Sequence, residues 1–188
     1  MSKPIRSRTS AAFLAGAAVA ATLVAVAAAH SSNRPAPAMG WSHATISSGA
    51  ATLAYPSSWK AIPGDKGTVT FSLRDREGRY LGYLNLTPRQ GSEQLAGWAA
   101  FRAARNREEG DKDVRVLRSM ENVQVGNGRR SCVVDEYLSR FGSHPYRELA
   151  CIVAGPRATS VFVGATLVPE WSKLGPLVER SAAMLIER

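Results

Sequence analysis

The chain has 188 residues, 45% of them hydrophobic and 21% charged, which suits one ordinary folded domain with a short appendage. Sixteen glycines and ten prolines without a period exclude a collagen-like or wholly disordered chain, and two cysteines exclude a disulfide-dense miniprotein or a four-thiolate zinc site. The net charge of +9 is concentrated at the N-terminus: residues 41–188 hold 20 basic against 15 acidic side chains, spread without a cluster, so no nucleic-acid partner is expected.

Residues Ala11 to Ala29 are nineteen consecutive uncharged positions behind Lys3, Arg6 and Arg8. As a helix they would span roughly 28 Å, close to the ~30 Å hydrocarbon core of a bilayer. The three leading cations orient the N-terminus toward the cytoplasm and send the rest of the chain outside. The length of the run favours a retained single-pass anchor, while Ala27-Ala28-Ala29 provides small residues for cleavage near Ala29 as the alternative. Arg6-Ser7-Arg8 is no twin-arginine pair, and no cysteine follows for lipid attachment. Residues 1–30 are therefore read as signal-anchor or signal peptide, residues 31–43 as a Pro/Ser-rich linker and residues 44–188 as the globular domain.

Short β-rich runs are predicted at Thr52–Trp59, Thr68–Arg74 and Tyr80–Thr87, separated by Pro63-Gly64 and Arg76-Glu77-Gly78. A helix follows, capped by Ser92, with Glu93 in its first turn, and running through Leu95, Trp98 and Phe101 to Gly110. Its other side, with Arg102, Arg105, Arg107, Glu108 and Glu109, is expected to be solvated. Four further strands are predicted at Val114–Val125, Arg130–Ser139, Pro145–Val153 and Thr159–Val168. A last helix then has Pro176 in its first turn and an apolar stripe of Leu177, Val178, Met184 and Leu185. This order predicts an α+β domain: an antiparallel sheet of about seven strands flanked by two main helices.

Cys132 and Cys151 stand on the two arms of a hairpin that turns near Phe141 and Gly142. Symmetric pairing opposes Cys132 to Cys151, Val134 to Leu149, Glu136 to Arg147 and Tyr137 to Tyr146, all favourable. It also opposes Asp135 to Glu148, which is not. A structural disulfide between Cys132 and Cys151 is predicted, in keeping with an oxidising compartment. Their separation rules out a Cys-x-x-Cys redox pair.

Catalytic chemistry finds little support. There is no Gly-x-Ser-x-Gly, and of His30, His43 and His144 only the last lies in the body of the domain, at a turn. A hydrolase would need His144 beside an acid and a hydroxyl in one cleft. No metal-ligand spacing or phosphate-binding loop occurs, and Gly126-Asn127-Gly128 reads as a hairpin turn. No catalytic residue, metal or cofactor is expected. Trp59 and Trp98 belong to the core by default, whereas Trp41 and Trp171, in segments read as loops, are the candidates for a binding surface.

The segment Leu53-Ala54-Tyr55-Pro56-Ser57-Ser58-Trp59, together with the order strands, helix, four strands, helix, resembles the fold shared by the photosystem extrinsic protein PsbP and the Ran-binding Mog proteins. Closest in setting are exported actinobacterial lipoproteins of the LpqN type. The resemblance covers Ala44 to Arg188 and implies an α/β/α sandwich serving as a non-enzymatic accessory or protein-binding module. The lipid-bearing cysteine of the LpqN type has no counterpart here, and no functional residue of these families carries over. The expected function is a membrane-tethered or secreted accessory domain that binds another envelope protein; the alternative is a carrier or sensor of a small apolar or anionic ligand.

Overall fold

Near-continuous burial along the long strands demands two covered faces, and the computed structural model shows what covers each. It describes residues 40–188, so the predicted signal-anchor or signal peptide and most of the predicted linker lie outside the described residues. The elements are β1 (Trp41–Thr45), β2 (Ala51–Pro56), β3 (Lys60–Ala61), β4 (Val69–Arg74), β5 (Tyr80–Pro88), α1 (Trp98–Glu108), β6 (Lys112–Val125), β7 (Gly128–Leu138), β8 (Pro145–Ala154) and β9 (Thr159–Leu167). A 3-10 turn (Val168–Glu170), α2 (Trp171–Ala183) and β10 (Ile186–Glu187) complete the chain.

Seven strands form one antiparallel sheet in the order β3-β4-β5-β9-β8-β7-β6, and β1, β2 and β10 form a second, three-stranded sheet. On one face of the large sheet, Leu84, Leu86, Cys132, Val134, Leu149, Cys151 and Phe162 pack against Val178 and Ala182 of α2 and against Ala51 and Leu53 of the small sheet. On the other face, Val133, Ala150, Ile152, Val161 and Val163 pack beneath Trp98 of α1. The α+β class and the two flanking helices are as the sequence predicts. Helix α2 approaches β9 closely at Gly164, where a Cβ would lie 2.5 Å from Val178 Cγ1, a distance that only glycine permits. Among the described residues no helix is long and apolar enough to cross a membrane.

The structure corrects four boundaries. Helix α1 begins at Trp98, six residues after Ser92, and its N-cap is Gly97 at φ 70° with no capping side chain. That left-handed geometry suits glycine, and the Glu93 carboxylate is taken up by the Gly91 N–H rather than by the helix dipole. Helix α2 begins at Trp171, with Pro169 in the preceding turn, and Pro176 falls inside it. Its buried positions are Leu174, Gly175, Val178, Ser181 and Ala182, and the chain leaves the helix before Leu185 to pair β10 with β2. The first predicted strand ends at Pro56 and joins the small sheet, while the two-residue β3 is the seventh strand of the large one. Finally, Trp41–His43, read as linker, open β1, where Trp41 stands opposite Pro56.

Candidate functional site

The β7–β8 hairpin has the register expected from its sequence: Cys132 faces Cys151, Val134 faces Leu149, Glu136 faces Arg147 and Tyr137 faces Tyr146. The two cysteines are joined in a disulfide, with their Cα atoms 4.1 Å apart, on the face that packs against α2.

The opposite face is polar at its centre. Asp135 and Glu148 oppose one another there, and both are fully buried. Two like charges so placed would repel, and the fold resolves this by giving each carboxyl a different partner. Glu148 receives a two-point contact from Arg102 of α1, with Nε to Oε1 at 2.6 Å and Nη2 to Oε2 at 2.9 Å. Burial opposes the Arg102 charge, but Glu148 outweighs it and holds the guanidinium protonated above its ordinary range. Asp135 has no such cation. Its neighbour on α1 is the buried Asn106, whose Nδ2 donates to Asp135 Oδ2 at 3.3 Å. Burial, reinforced by the Glu148 charge, pushes the Asp135 carboxyl up to about 8. Asp135 Oδ1 and Asn106 Oδ1 are both buried acceptors without a partner, and a proton on the carboxyl provides the donor this pair lacks.

Above this network opens a cleft of about 810 Å³ at the end of the sheet where β5 and β8 begin and β7 and β9 finish. Tyr83, Tyr137 and Tyr146 are among its lining residues. The Tyr137 and Tyr146 rings stack at 6.2 Å between centroids, and Tyr137 Oη donates to Glu148 Oε2 at 3.3 Å. Burial, and next the nearby Glu148 for Tyr83, raise both the Tyr83 and Tyr137 phenols well above their ordinary value, so they stay neutral donors. Tyr80 forms one side, its ring under the Arg74 guanidinium at 3.8 Å. The tip of the β7–β8 hairpin contributes Arg140 and Phe141, with the guanidinium 4.7 Å from the ring centre, and Phe141 is 73% exposed. Phe141 is the most exposed large apolar group of the described residues, and it stands at an opening lined by four tyrosines.

His144, Ser139 and Asp111 also line this cleft, so the three residue types a hydrolase would require do meet there. Their hydrogen bonds run elsewhere: Ser139 Oγ donates to the Phe141 carbonyl at 2.7 Å, and Asp111 Oδ1 accepts the Arg140 N–H at 2.8 Å. The His144 ring instead packs beside Gly142 at the tip of the turn. Among the described residues no cluster of three or more His, Cys, Asp or Glu could hold a metal ion.

Neither sequence-predicted binding tryptophan lies on a loop. Trp41 is in β1 with the Arg180 guanidinium 4.8 Å from its ring, and Trp171 opens α2 with its ring packed against Gly175 and 5.5 Å from Arg147. Both are half-buried and neither lines the cleft. Trp59 and Trp98 are core residues as expected, each 2% exposed, and Trp98 Nε1 also donates to the Ala150 carbonyl. The residues that sequence reasoning missed are Arg102, assigned to a solvated face, and the tyrosines and Phe141 that frame the cleft. The unfavourable Asp135–Glu148 opposition was the available signal: a buried acid pair requires a cation or a proton from another element.

No protein-family model matches the sequence, and no curated protein is similar to it. Solved structures are similar in fold. The solution structure of cyanobacterial PsbP (CyanoP) from Synechocystis sp. PCC 6803 superposes with a TM-score of 0.55 at 14% identity, over 82% of this chain and 96% of that one. A protein of unknown function from Pseudomonas aeruginosa, PA94, gives 0.51 at 13% identity, over 79% and 97%. LpqN of Mycobacterium tuberculosis, involved in cell envelope biogenesis, gives 0.49 at 10% identity, over 78% and 90%. The chain has the PsbP-like fold. These identities carry the fold alone and assign no activity.

Proposed function

We propose that the protein is an exported, non-enzymatic binding domain that carries or senses a small ligand in the cleft between α1 and the large sheet. The observation that carries this reading is the cleft itself: about 810 Å³, within the usual range of ligand pockets, with aromatic rings around its opening and preset polar groups at its floor. The buried Arg102–Glu148 pair orders the floor before any ligand arrives, so little reorganisation opposes binding. A ligand with a flat or apolar body, flanked by groups that accept hydrogen bonds from tyrosine hydroxyls and from Arg140, matches this lining. The Cys132–Cys151 disulfide and the leading apolar run support an oxidising, extracytoplasmic setting.

Native mass spectrometry of protein purified from its own host tests the reading. A retained small-molecule adduct in the wild type that is lost in the Tyr80→Ala/Phe141→Ala double variant is the expected result. A wild type without adduct, or an adduct indifferent to both changes, counts against it.

A second reading, the binding of another envelope protein, is favoured by β6. This edge strand exposes Val116, Leu117, Met120, Val123 and Val125 by 41–45% each, with Val116 opposite Asp135 and Met120 and Val123 opposite Cys132 and Arg130, so apolar groups stand exposed on both faces of the edge. Its pairing with β7 breaks register at three places, which obstructs simple strand addition and directs any contact to the side chains. Photocrosslinking from position 117 in intact cells should then trap an envelope protein; crosslinks to lipid alone would exclude this reading.

A further inference from the structure

A smaller cavity lies on the other face of the large sheet. It encloses about 380 Å³ between β6, β7, β8 and the C-terminal half of α2, and it does not communicate in its lining with the aromatic cleft. Its walls are largely apolar: the Cys132–Cys151 disulfide, Met120, Val134, Leu149 and Ala182. The exposed Arg118 of β6 reaches across to Glu179 of α2, both lining residues, and ties the strand to the helix there.

Arg130 breaks the apolar character. It stands on β7 between Val123 of β6 and Val153 of β8, lines the cavity and is only 8% exposed. Its Nε is buried and has no hydrogen-bond partner among the described residues. Burial disfavours the Arg130 cation, yet a guanidinium stays protonated in proteins, so the site holds a positive charge that is only partly compensated. Glu187 of β10 is the neighbouring anion, but its Oε1 is taken by the Ser160 hydroxyl, its Oε2 is unpartnered, and burial pushes its carboxyl up to about 7. At neutral pH Glu187 is therefore only partly ionised and leaves Arg130 without a full counter-charge.

We infer that this cavity is a binding site for a small apolar monocarboxylate, with Arg130 as the charge partner and the disulfide, Met120 and Ala182 as walls for the apolar body. The volume falls in the ~300–1,000 Å³ range of ligand pockets, and Arg130, the lining cation not paired as Arg118 is, matches a single negative charge. A dianion such as a phosphate monoester would bring its second charge toward Glu179 of the lining and toward Glu187, the anion beside Arg130. The ligand closes the fold's unmet demand: its carboxylate accepts from the guanidinium while its body excludes water from the disulfide. This inference stands on a different face from the proposed cleft and fails or survives independently of it.

Equilibrium dialysis of radiolabelled decanoate and of 2-naphthoate against the full protein purified from its host, stripped of small molecules on hydrophobic resin, tests it. The two acids separate a lipid-derived from an aromatic source. The expected result is saturable binding of at least one of them, one per chain, at least tenfold tighter than the matching alcohol, decanol or 2-naphthylmethanol. Arg130→Met should weaken the acid at least tenfold and erase its advantage over the alcohol. Met120→Trp, a change at an exposed wall residue, should block binding with Arg130 intact, and so keeps the test decisive if Arg130→Met does not fold. Phe141→Ala, in the aromatic cleft, should leave binding unchanged. Absence of binding by both acids, an acid preference that persists in Arg130→Met, undiminished binding by Met120→Trp, or loss of binding in Phe141→Ala would overturn the inference.

Discussion

The two faces of the seven-stranded sheet use the same strands in different ways. The face under α2 is built from Leu84, Leu149, Val134 and Phe162 around a covalent cross-link, and it owes its stability to apolar burial and a shortened unfolded chain. The face under α1 surrounds Trp98 with apolar neighbours but places Asp135, Glu148, Arg102, Asn106 and two tyrosines at its centre. A buried polar centre is weak evidence for stability, because removing ions from water costs as much as their pairing returns. What it provides is a defined arrangement of donors and acceptors beneath an open cleft. The difference teaches that one face is held mainly by apolar burial and a cross-link, and the other by polar groups that each depend on a particular partner.

The largest test of this contrast is Arg102→Met. It leaves Glu148 buried without its cation and is expected to destabilise by about 3–5 kcal/mol, whereas Arg102→Met/Glu148→Leu should recover most of that loss. Urea unfolding measures both, and a single variant as stable as wild type would show that the α1 face does not depend on this pair. For comparison, Arg118→Ala removes an exposed ion pair with Glu179 and should cost less than about 1 kcal/mol.

Next in size is the Cys132→Ala/Cys151→Ala variant. Opening a cross-link between residues 19 positions apart should cost about 3 kcal/mol in the chain-entropy model. Because the disulfide belongs to the α2 face, ligand retention in the aromatic cleft should survive. Loss of both stability and cleft binding would mean that the faces are not separable.

The most gradual effect is a pH dependence, spread over several pH units. Asp135, raised from its ordinary carboxylate range to about 8, binds a proton in the folded protein that the unfolded chain has released. Stability therefore falls as pH rises between about 4 and 8, by at most about 1.4 kcal/mol per pH unit for one group. Glu187, raised to about 7, acts in the same direction up to that pH. Asp75 and Glu136, whose carboxyls are held below their ordinary range despite desolvation by hydrogen bonds from arginines, act in the opposite direction and only in acid. Thermal midpoints should thus decline from pH 5 to pH 8, and Asp135→Asn should flatten the part between 7 and 8. A wild-type curve that is flat there would place an ionised Asp135 in the core.

Much of the α2 face was legible in the sequence, since it depends on local alternation and hairpin symmetry. The Cys132–Cys151 register follows from counting back from a turn at Phe141-Gly142, and the same count placed Val134 against Leu149. The α1 face was half legible. Tyr137 opposite Tyr146 and the awkward Asp135–Glu148 pair were visible, but Arg102 sits 46 residues from Glu148 and no spacing rule joins them. Helix boundaries failed where the usual signals misled: Ser92 looks like a cap, yet the helix starts only after Gly97, which stands at positive φ with no capping side chain, and Pro176 is tolerated within α2 although proline usually marks a first turn. Trp41 and Trp171 were misplaced because residues near a terminus or a short turn read as loop until a partner strand or helix claims them.

By itself the amino-acid sequence determined the strand runs, the hairpin register, the cross-link and the α+β class, because these depend on side-chain period and on neighbours close in the chain. Only the tertiary structure decided which strands share a sheet, that the first predicted strand leaves it, that Asp135 and Arg130 are buried and that Arg102 is drawn onto the buried Glu148. The physical reason is that the state of a charged group depends on what is packed around it from distant segments. Arg102 meets Glu148, Asp135 meets an amide and keeps a proton, and Arg130 meets an apolar cavity; no pattern within a window of sequence distinguishes the three.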